Sequence, residues 1–220
     1  MGEAADPPKV SADDIDYNNP PFPLTAIDRE VLATRDEDYH RITWEDLRRI
    51  IANNTLEDLK RLPSDLRKYL AWSYNIKKQY GGITPYVIQE KLLWKPRTHS
   101  PPTFEHISET PFEVRSDYAV LLNDWPYGFV PGIAHILVWS KTPIKTDETR
   151  GDVTPESRHL IEQFVTDYFI KEIGEHGKDN VLWFKNWVSL QSVRGVDHVH
   201  VLVKDAPAEL LERWTERKDL

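Results

Sequence analysis

Cysteine is absent from the 220-residue chain. That excludes disulfides, thiolate metal sites and a cysteine nucleophile, and it is compatible with the cytosol. Long apolar runs are missing too: none approaches the ~20 residues of a membrane-spanning helix. Residues 1–23 are rich in Asp and Pro and lack an apolar stretch, so neither a secretory signal nor a basic transit peptide is expected. Gly2 is not followed by the Ser or Thr of a myristoylation site. There is no basic run, and the net charge is −8 with a pI near 5.5. General nucleic-acid binding is therefore disfavoured, although a local basic pocket remains compatible with that charge. Internal repeats and low-complexity tracts are also lacking. These absences lead to the expectation of a soluble cytoplasmic protein, with the nucleus open and no membrane partner.

What is present is ordinary for a globular protein: 40% hydrophobic and 29% charged residues, in a length that suits one good core or two small ones. Residues 1–24 are proline-rich and aperiodic and read as a mobile arm. From Thr43 the apolar spacing turns helical. Thr43 is an N-cap with Asp46 in the first turn, and Leu47, Ile50 and Ile51 form one face. A short helix follows through Leu56, Leu59 and Leu62, broken at Pro63. Ser64 is expected to cap the next helix, which carries Tyr69 and Trp72 and stops at Gly81 and Gly82. Thr84 and Pro85 open a fourth. The boundary falls in the proline-rich stretch 94–102, which divides a helical module (25–98) from a second domain (99–220).

In that second domain the apolar runs shorten to strands at 118–123, 134–140, 181–186 and 196–203. A long helix at 153–174, capped by Thr154 with Pro155 in its first turn, separates the second run from the third, and a last helix spans 206–218. The fold class is α+β: a sheet with a packed long helix, preceded by a small helical module. The turn-rich, aromatic segment 123–132 between two strands has the character of a loop bordering a site.

The sharpest chemical signal is His198-Val199-His200. Strand alternation puts both imidazoles on one face and Val199, Val201 and Val203 on the other. Two buried imidazoles require hydrogen-bond partners, a metal or an anion, and near neutrality they can pair a nucleophile or base with a proton donor. The bland reading is a solvated or satisfied structural pair. A metal site with His135 as third ligand is another, but no further Cys or carboxylate stands at ligand spacing. Trp125, Tyr127 and Phe129 could stack on a base or sugar or simply pack their loop. Lys141, Lys185 and Arg194 could meet phosphate, with Lys185, beside Asn186, the best placed of the three. Tyr69 and Trp72 read as core.

Several segments resemble the histidine-triad superfamily: Asn123-Asp124 followed by the strand from His135 to Lys141, Phe184 to Asn186, Gln191 to Val193, and the strand HVHVLV from His198. The resemblance implies an antiparallel sheet like that superfamily's and a nucleotide-type ligand; no cofactor and no metal are expected. It places Asp124 near a ribose, Asn186 at the phosphate or sugar, His135 behind the histidine strand, and Lys185 and Ser192 in the binding set. His198 and His200 would be the catalytic pair, one of them attacking an α-phosphate. The triad is incomplete. In the favoured register Val196 replaces the first histidine and His198 is the nucleophile; in the other, His200 is the nucleophile and Leu202 replaces the third. A homodimer is common among such proteins.

The chain also resembles the fungal N-acetylglucosamine-induced protein family. The likeness lies in residues 22–25 (FPLT), 27–32 (IDREVL), 63–72 (PSDLRKYLAW), 123–128 (NDWPYG) and 183–187 (WFKNW). Three functions compete. One is a nucleotide phosphohydrolase or nucleotidyl transferase. Another is a non-catalytic nucleotide or nucleotide-sugar sensor. The third is a helical adaptor, which calls for an exposed apolar patch on the helices.

Overall fold

The computed structural model describes residues 9–147, 149 and 151–216. Four antiparallel strands form the central sheet in the order β3-β4-β6-β5: β3 (Tyr118–Leu122), β4 (Ile133–Ser140), β5 (Val181–Phe184) and β6 (Asp197–Lys204). A two-stranded hairpin, β1 (Thr98–His99) with β2 (Pro102–Thr103), lies in the stretch read as a connector. Each expected strand is present within a residue or two of its expected ends.

Strand alternation gives the sheet two chemically different faces. Val199, Val201 and Val203 of β6, with Ile136 and Val138 of β4, pack against the long helix that crosses the sheet. That helix opens as α5 (Pro155–Val165), widens to a π-helical stretch (Thr166–Ile170) and closes as α6 (Lys171–Ile173). Thr154 accepts the Ser157 N–H and Pro155 occupies the first turn, so its start follows from local chemistry. After α7 (Gly177–Asn180), the final helix α8 (Ala208–Thr215) adds Trp214 to the same core. The expected extension of α8 to Lys218 lies outside the described residues.

His198, His200 and Leu202 of β6 project to the opposite face, and there the helical module lies on the sheet. Its helices are α1 (Ala26–Leu32), α2 (Trp44–Asn53), α3 (Pro63–Tyr80) and α4 (Ile83–Tyr86), the last continuing as a π-helical turn over Val87–Leu92. The start of α2 has a complete capping box between Thr43 and Asp46. Gly81, at φ 78°, ends α3. Ser64 does not cap α3. The helix begins at Pro63 after Leu62, and the Ser64 N–H donates to Asp36 Oδ1 at 2.9 Å.

The packing bears on two expectations about organisation. Among the described residues, the helices share two core clusters with the sheet. Ile83, Val87, Ile88 and Leu92 share one cluster with Ala119, Trp139 and Val196, and Trp44, Leu47 and Ile50 share another with Phe184 and Leu202. Residues 25–98 are therefore the third layer of one structure, because a sheet with two apolar faces needs cover on both. The arm is not loose over its described part. Val10 and Asn75 exchange two hydrogen bonds of 3.0 and 2.8 Å, and the Tyr17 hydroxyl donates to the Arg67 carbonyl at 2.9 Å. Residues 1–8 of the arm lie outside the described residues.

The loop 123–132 is pinned to the helical layer at Gly128. Its N–H donates to the Lys60 carbonyl at 2.9 Å, and its carbonyl accepts the Ile42 N–H at 2.9 Å. A Cβ at Gly128 would stand 2.7 Å from the Tyr39 ring and 2.9 Å from the Leu62 backbone nitrogen, which cannot rotate away. Gly128→Ala is expected to destabilise the protein by about 1–3 kcal/mol through this overlap. Urea denaturation checks it; an unchanged midpoint would show that the loop yields.

Candidate functional site

Between the two apolar clusters of the helix-covered face lies a polar patch made of three histidines and an asparagine. His135 comes from β4, His198 and His200 from β6, and Asn186 from just beyond β5; each is only 4–6% exposed. Antiparallel register sets Leu137 opposite His200 and Trp139 opposite His198, so His135 reaches His200 diagonally. Phe184, directly opposite His200 on β5, stacks on its ring at 4.6 Å with 10° between the planes. Trp139 covers His198 at 4.4 Å.

The hydrogen bonds run in a line. His135 Nε2 lies 2.8 Å from His200 Nδ1. The Asn186 amide nitrogen is 3.2 Å from His200 Nε2 and 3.1 Å from the Tyr127 hydroxyl, while Asn186 Oδ1 is buried without a partner. Asn123 Nδ2 stands 3.2 Å from His135 Nδ1. Turning the Asn186 amide through 180° matches donor to acceptor at each link from Asn123 to Asn186 Oδ1. Asn123 then donates to His135 Nδ1, His135 Nε2–H to His200 Nδ1, and His200 Nε2–H and the Tyr127 hydroxyl both to Asn186 Oδ1. In either orientation one end of the buried amide is left unpaired, and Asn186 lines a cavity.

His198 is held differently. Its Nδ1–H donates to the Val196 carbonyl at 2.9 Å, and Nε2 has no protein partner among the described residues. Both ring nitrogens of His200 are engaged, whereas His198 keeps one lone pair for a ligand.

All three imidazoles are pushed towards the neutral form. Burial drives His135 down to about 3, helped by the positive charge of Arg61 and by His198. Burial also takes His198 down to about 4, against the opposing bond to Val196. His200 falls well below the usual histidine range, first through burial and then through His135, His198, Arg61 and Lys185. The cluster is thus a set of uncharged donors and acceptors at neutral pH.

The cavity over His198 and His200 measures about 120 Å³. The sheet supplies its floor, and the helical layer with the loop 123–132 supplies its walls. Tyr69 and Trp72 of α3 line it together with Trp125. Trp72 and Trp125 lie 5.1 Å apart at 42°, and Tyr69 meets Trp125 edge-on at 5.6 Å. Arg61, just before α3, also reaches it.

Most of the expected residues converge here. Asn186, Ser192, His198 and His200 line the cavity. Asp124 sits at its mouth, half exposed and paired with Lys91 at 2.6 Å. His135 is not behind the histidine strand. It lies beside it on the same face, and its bond to His200 orients that ring. Lys185 is placed elsewhere: its buried ammonium stands 3.0 Å from Asp197 Oδ1, off the cavity wall, because strand alternation turns it away from the neighbouring Asn186. Phe129 is buried in a core cluster, and Lys141 lies over the Trp94 ring at 5.3 Å.

The metal alternative lacks a geometry, since among the described residues no group of three or more His, Cys, Asp or Glu side chains could hold an ion. Sequence reasoning missed Arg61; it read Tyr69 and Trp72 as core, and they do pack against a core cluster, but they line the cavity as well. Their i, i+3 spacing marks one helix face but not what that face meets.

The class defined by these observations is an α+β protein with a neutral histidine cluster on a central antiparallel strand, roofed by its own helical layer. The chain belongs to the family described as "Protein of unknown function (DUF3605)", whose model matches residues 43–204. It is 30% identical over 182 residues to N-acetylglucosamine-induced protein 1 of Candida albicans, covering 77% of this chain and 71% of that protein. It is also 30% identical over 178 residues to the uncharacterized protein YPL067C of Saccharomyces cerevisiae, covering 80% and 85%. The crystal structure of HTC1 aligns with a TM-score of 0.59 at 28% identity, over 79% of this chain and 93% of that one. No helix among the described residues is long and apolar enough to cross a membrane.

Proposed function

We propose that the chain is a histidine-triad-like nucleotide phosphohydrolase or nucleotidyl transferase, with His198 as nucleophile. The observation that carries this reading is that His198, with Nε2 free, and Asn186, with one end of its amide unpaired, line one cavity. Nε2 attacks the α-phosphorus, and the bond from phosphorus to the leaving group breaks. The leaving group departs with the electron pair and takes a proton from solvent. Positive charge arising on the ring is shared through Nδ1–H with the Val196 carbonyl. Water then attacks phosphorus, the P–N bond breaks, its electrons return to Nε2, and a proton is released.

The unpaired end of Asn186 suits a phosphoryl oxygen when the amide presents its N–H groups. A cavity of about 120 Å³ is below the roughly 300–1,000 Å³ of drug-sized ligand sites. It fits a phosphate with one ring, leaving the rest of the ligand at the mouth near Asp124. Trp125 and Trp72 offer the ring an aromatic wall.

A second reading, a nucleotide or nucleotide-sugar sensor without turnover, is favoured by Val196. Where the favoured register puts the first histidine of the triad, this valine is buried at 1% exposure in a hydrophobic cluster. The amino-sugar link rests only on the name of the Candida relative. The helical adaptor has less support, because the apolar faces of α2 and α4 are spent on the sheet.

Turnover on a nucleoside phosphoramidate, a dinucleoside polyphosphate and UDP-N-acetylglucosamine separates the first two readings. Hydrolysis that His198→Ala removes supports the enzyme. No turnover on any of them, with one nucleotide still raising the melting temperature, supports the sensor.

A further inference from the structure

A phosphate-bearing ligand brings negative charge into a cavity whose two lining imidazoles, His198 and His200, are held towards the neutral form. Something else on the wall has to balance it. Among the described residues two cations line the cavity. Lys91 is paired with Asp124 at 2.6 Å. Arg61 has neither a hydrogen bond nor an ion pair among the described residues. Its guanidinium lies 3.9 Å from the centroid of the Tyr69 ring and 5.5 Å from that of Tyr127, and its Nε is buried without a partner.

The position of Arg61 is imposed from both sides. The preceding carbonyl, of Lys60, accepts hydrogen bonds from the Gly128 N–H and the Tyr39 hydroxyl, each at 2.9 Å. The following Leu62 is buried and immediately precedes α3. Two tyrosine rings hold the guanidinium, so the fork is preorganised for a planar or tetrahedral oxyanion. A structural arginine with a buried Nε would normally hold a carboxylate or carbonyls; this one lies over rings and leaves that donor unpaired.

We infer that Arg61 is the anion receptor of the cavity, its guanidinium binding phosphoryl oxygens of the ligand opposite the histidine strand. The inference rests on the proposed phosphate ligand and deepens it by giving the helical layer a part in recognition. With Val196 in place of a triad histidine, the missing polar contact would be made good from outside the sheet.

Calorimetric binding tests it, with inorganic phosphate, the four common nucleoside 5′-monophosphates and their neutral nucleosides. The proteins are wild type, Arg61→Met and Arg61→Lys, each checked for folding by thermal melting. In wild type at least one monophosphate should bind ~100-fold more tightly than its nucleoside. That ratio should collapse to within ~10-fold in Arg61→Met and recover in part in Arg61→Lys, which keeps the charge but loses the fork. If Arg61→Met does not fold, a loss of ~10-fold in Arg61→Lys supports the inference and an unchanged ratio overturns it. A preference for phosphate undiminished in the variants overturns Arg61 as receptor and leaves the nucleotide reading standing. Wild type binding none of the phosphates overturns both.

Discussion

Replacing His198 by alanine should lower turnover of any phosphorylated substrate by at least ~10³-fold, because the attacking lone pair is removed outright. Ligand binding should survive, since Asn186, Ser192 and the aromatic wall remain. Loss of the ring also strips the Trp139 stack and leaves the Val196 carbonyl without its donor, so a modest loss of stability, about 1–2 kcal/mol, accompanies it.

His200→Ala should behave differently. It takes the partner from both His135 and Asn186 and opens a gap over Phe184. Here the larger effect falls on stability, about 2–4 kcal/mol, with turnover lost as a consequence. Kinetics and urea denaturation of both variants make the comparison. Full turnover in His198→Ala would return the nucleophile to His200 or remove nucleophilic catalysis altogether. Full turnover in both would leave the cluster with a structural role only.

The second large effect is on acid stability. In the unfolded chain each histidine takes up a proton near pH 6.5, whereas in the folded protein His135 holds out to about pH 3 and His198 to about pH 4. His200 is depressed in the same direction. Between those limits the unfolded state binds more protons, so stability rises with pH across the window and is fully present only above about pH 6.5. Each buried histidine contributes a slope of up to about 1 kcal/mol per pH unit below pH 6.5, His198 until about pH 4 and His135 until about pH 3, and His200 adds to it in the same direction.

Against a total stability of roughly 5–15 kcal/mol, that loss is a large share of the whole. Asp46, whose carboxyl is held below its usual range by hydrogen bonds from His40 and Thr43, acts in the same sense but only below about pH 4. Denaturant midpoints at pH 7.5, 6.5, 5.5 and 5.0 should therefore fall steeply over the last three. A flat profile would mean that the cluster takes up a proton while folded, and the neutral relay from Asn123 to Asn186 would have to be abandoned.

Much of this was legible from local chemistry. Thr43 with Asp46, Thr154 with Pro155, and Gly81 set helix ends through contacts within a few residues, which a sequence displays directly. The period of two in β6 likewise put His198 and His200 on one face without reference to any neighbour. Misreadings came where the partner was distant. Ser64 looked like a cap, but Asp36, 28 positions earlier, uses its N–H. Lys185 looked like a phosphate ligand, but Asp197 holds it. The proline-rich arm looked loose, but Asn75 and Arg67 of α3 tie down its described part.

By itself, then, the sequence determined the α+β element order, the two-faced histidine strand and the candidacy of Asn186, His198 and His200. Periodicity and capping are short-range effects and need no partner. Packing between distant segments made the helical module a layer on the histidine face, set His135 beside His200, and brought Arg61, Tyr69 and Trp72 to the cavity. Those facts depend on which surfaces meet, and that is settled by burying both faces of one sheet at once, an outcome no single segment encodes.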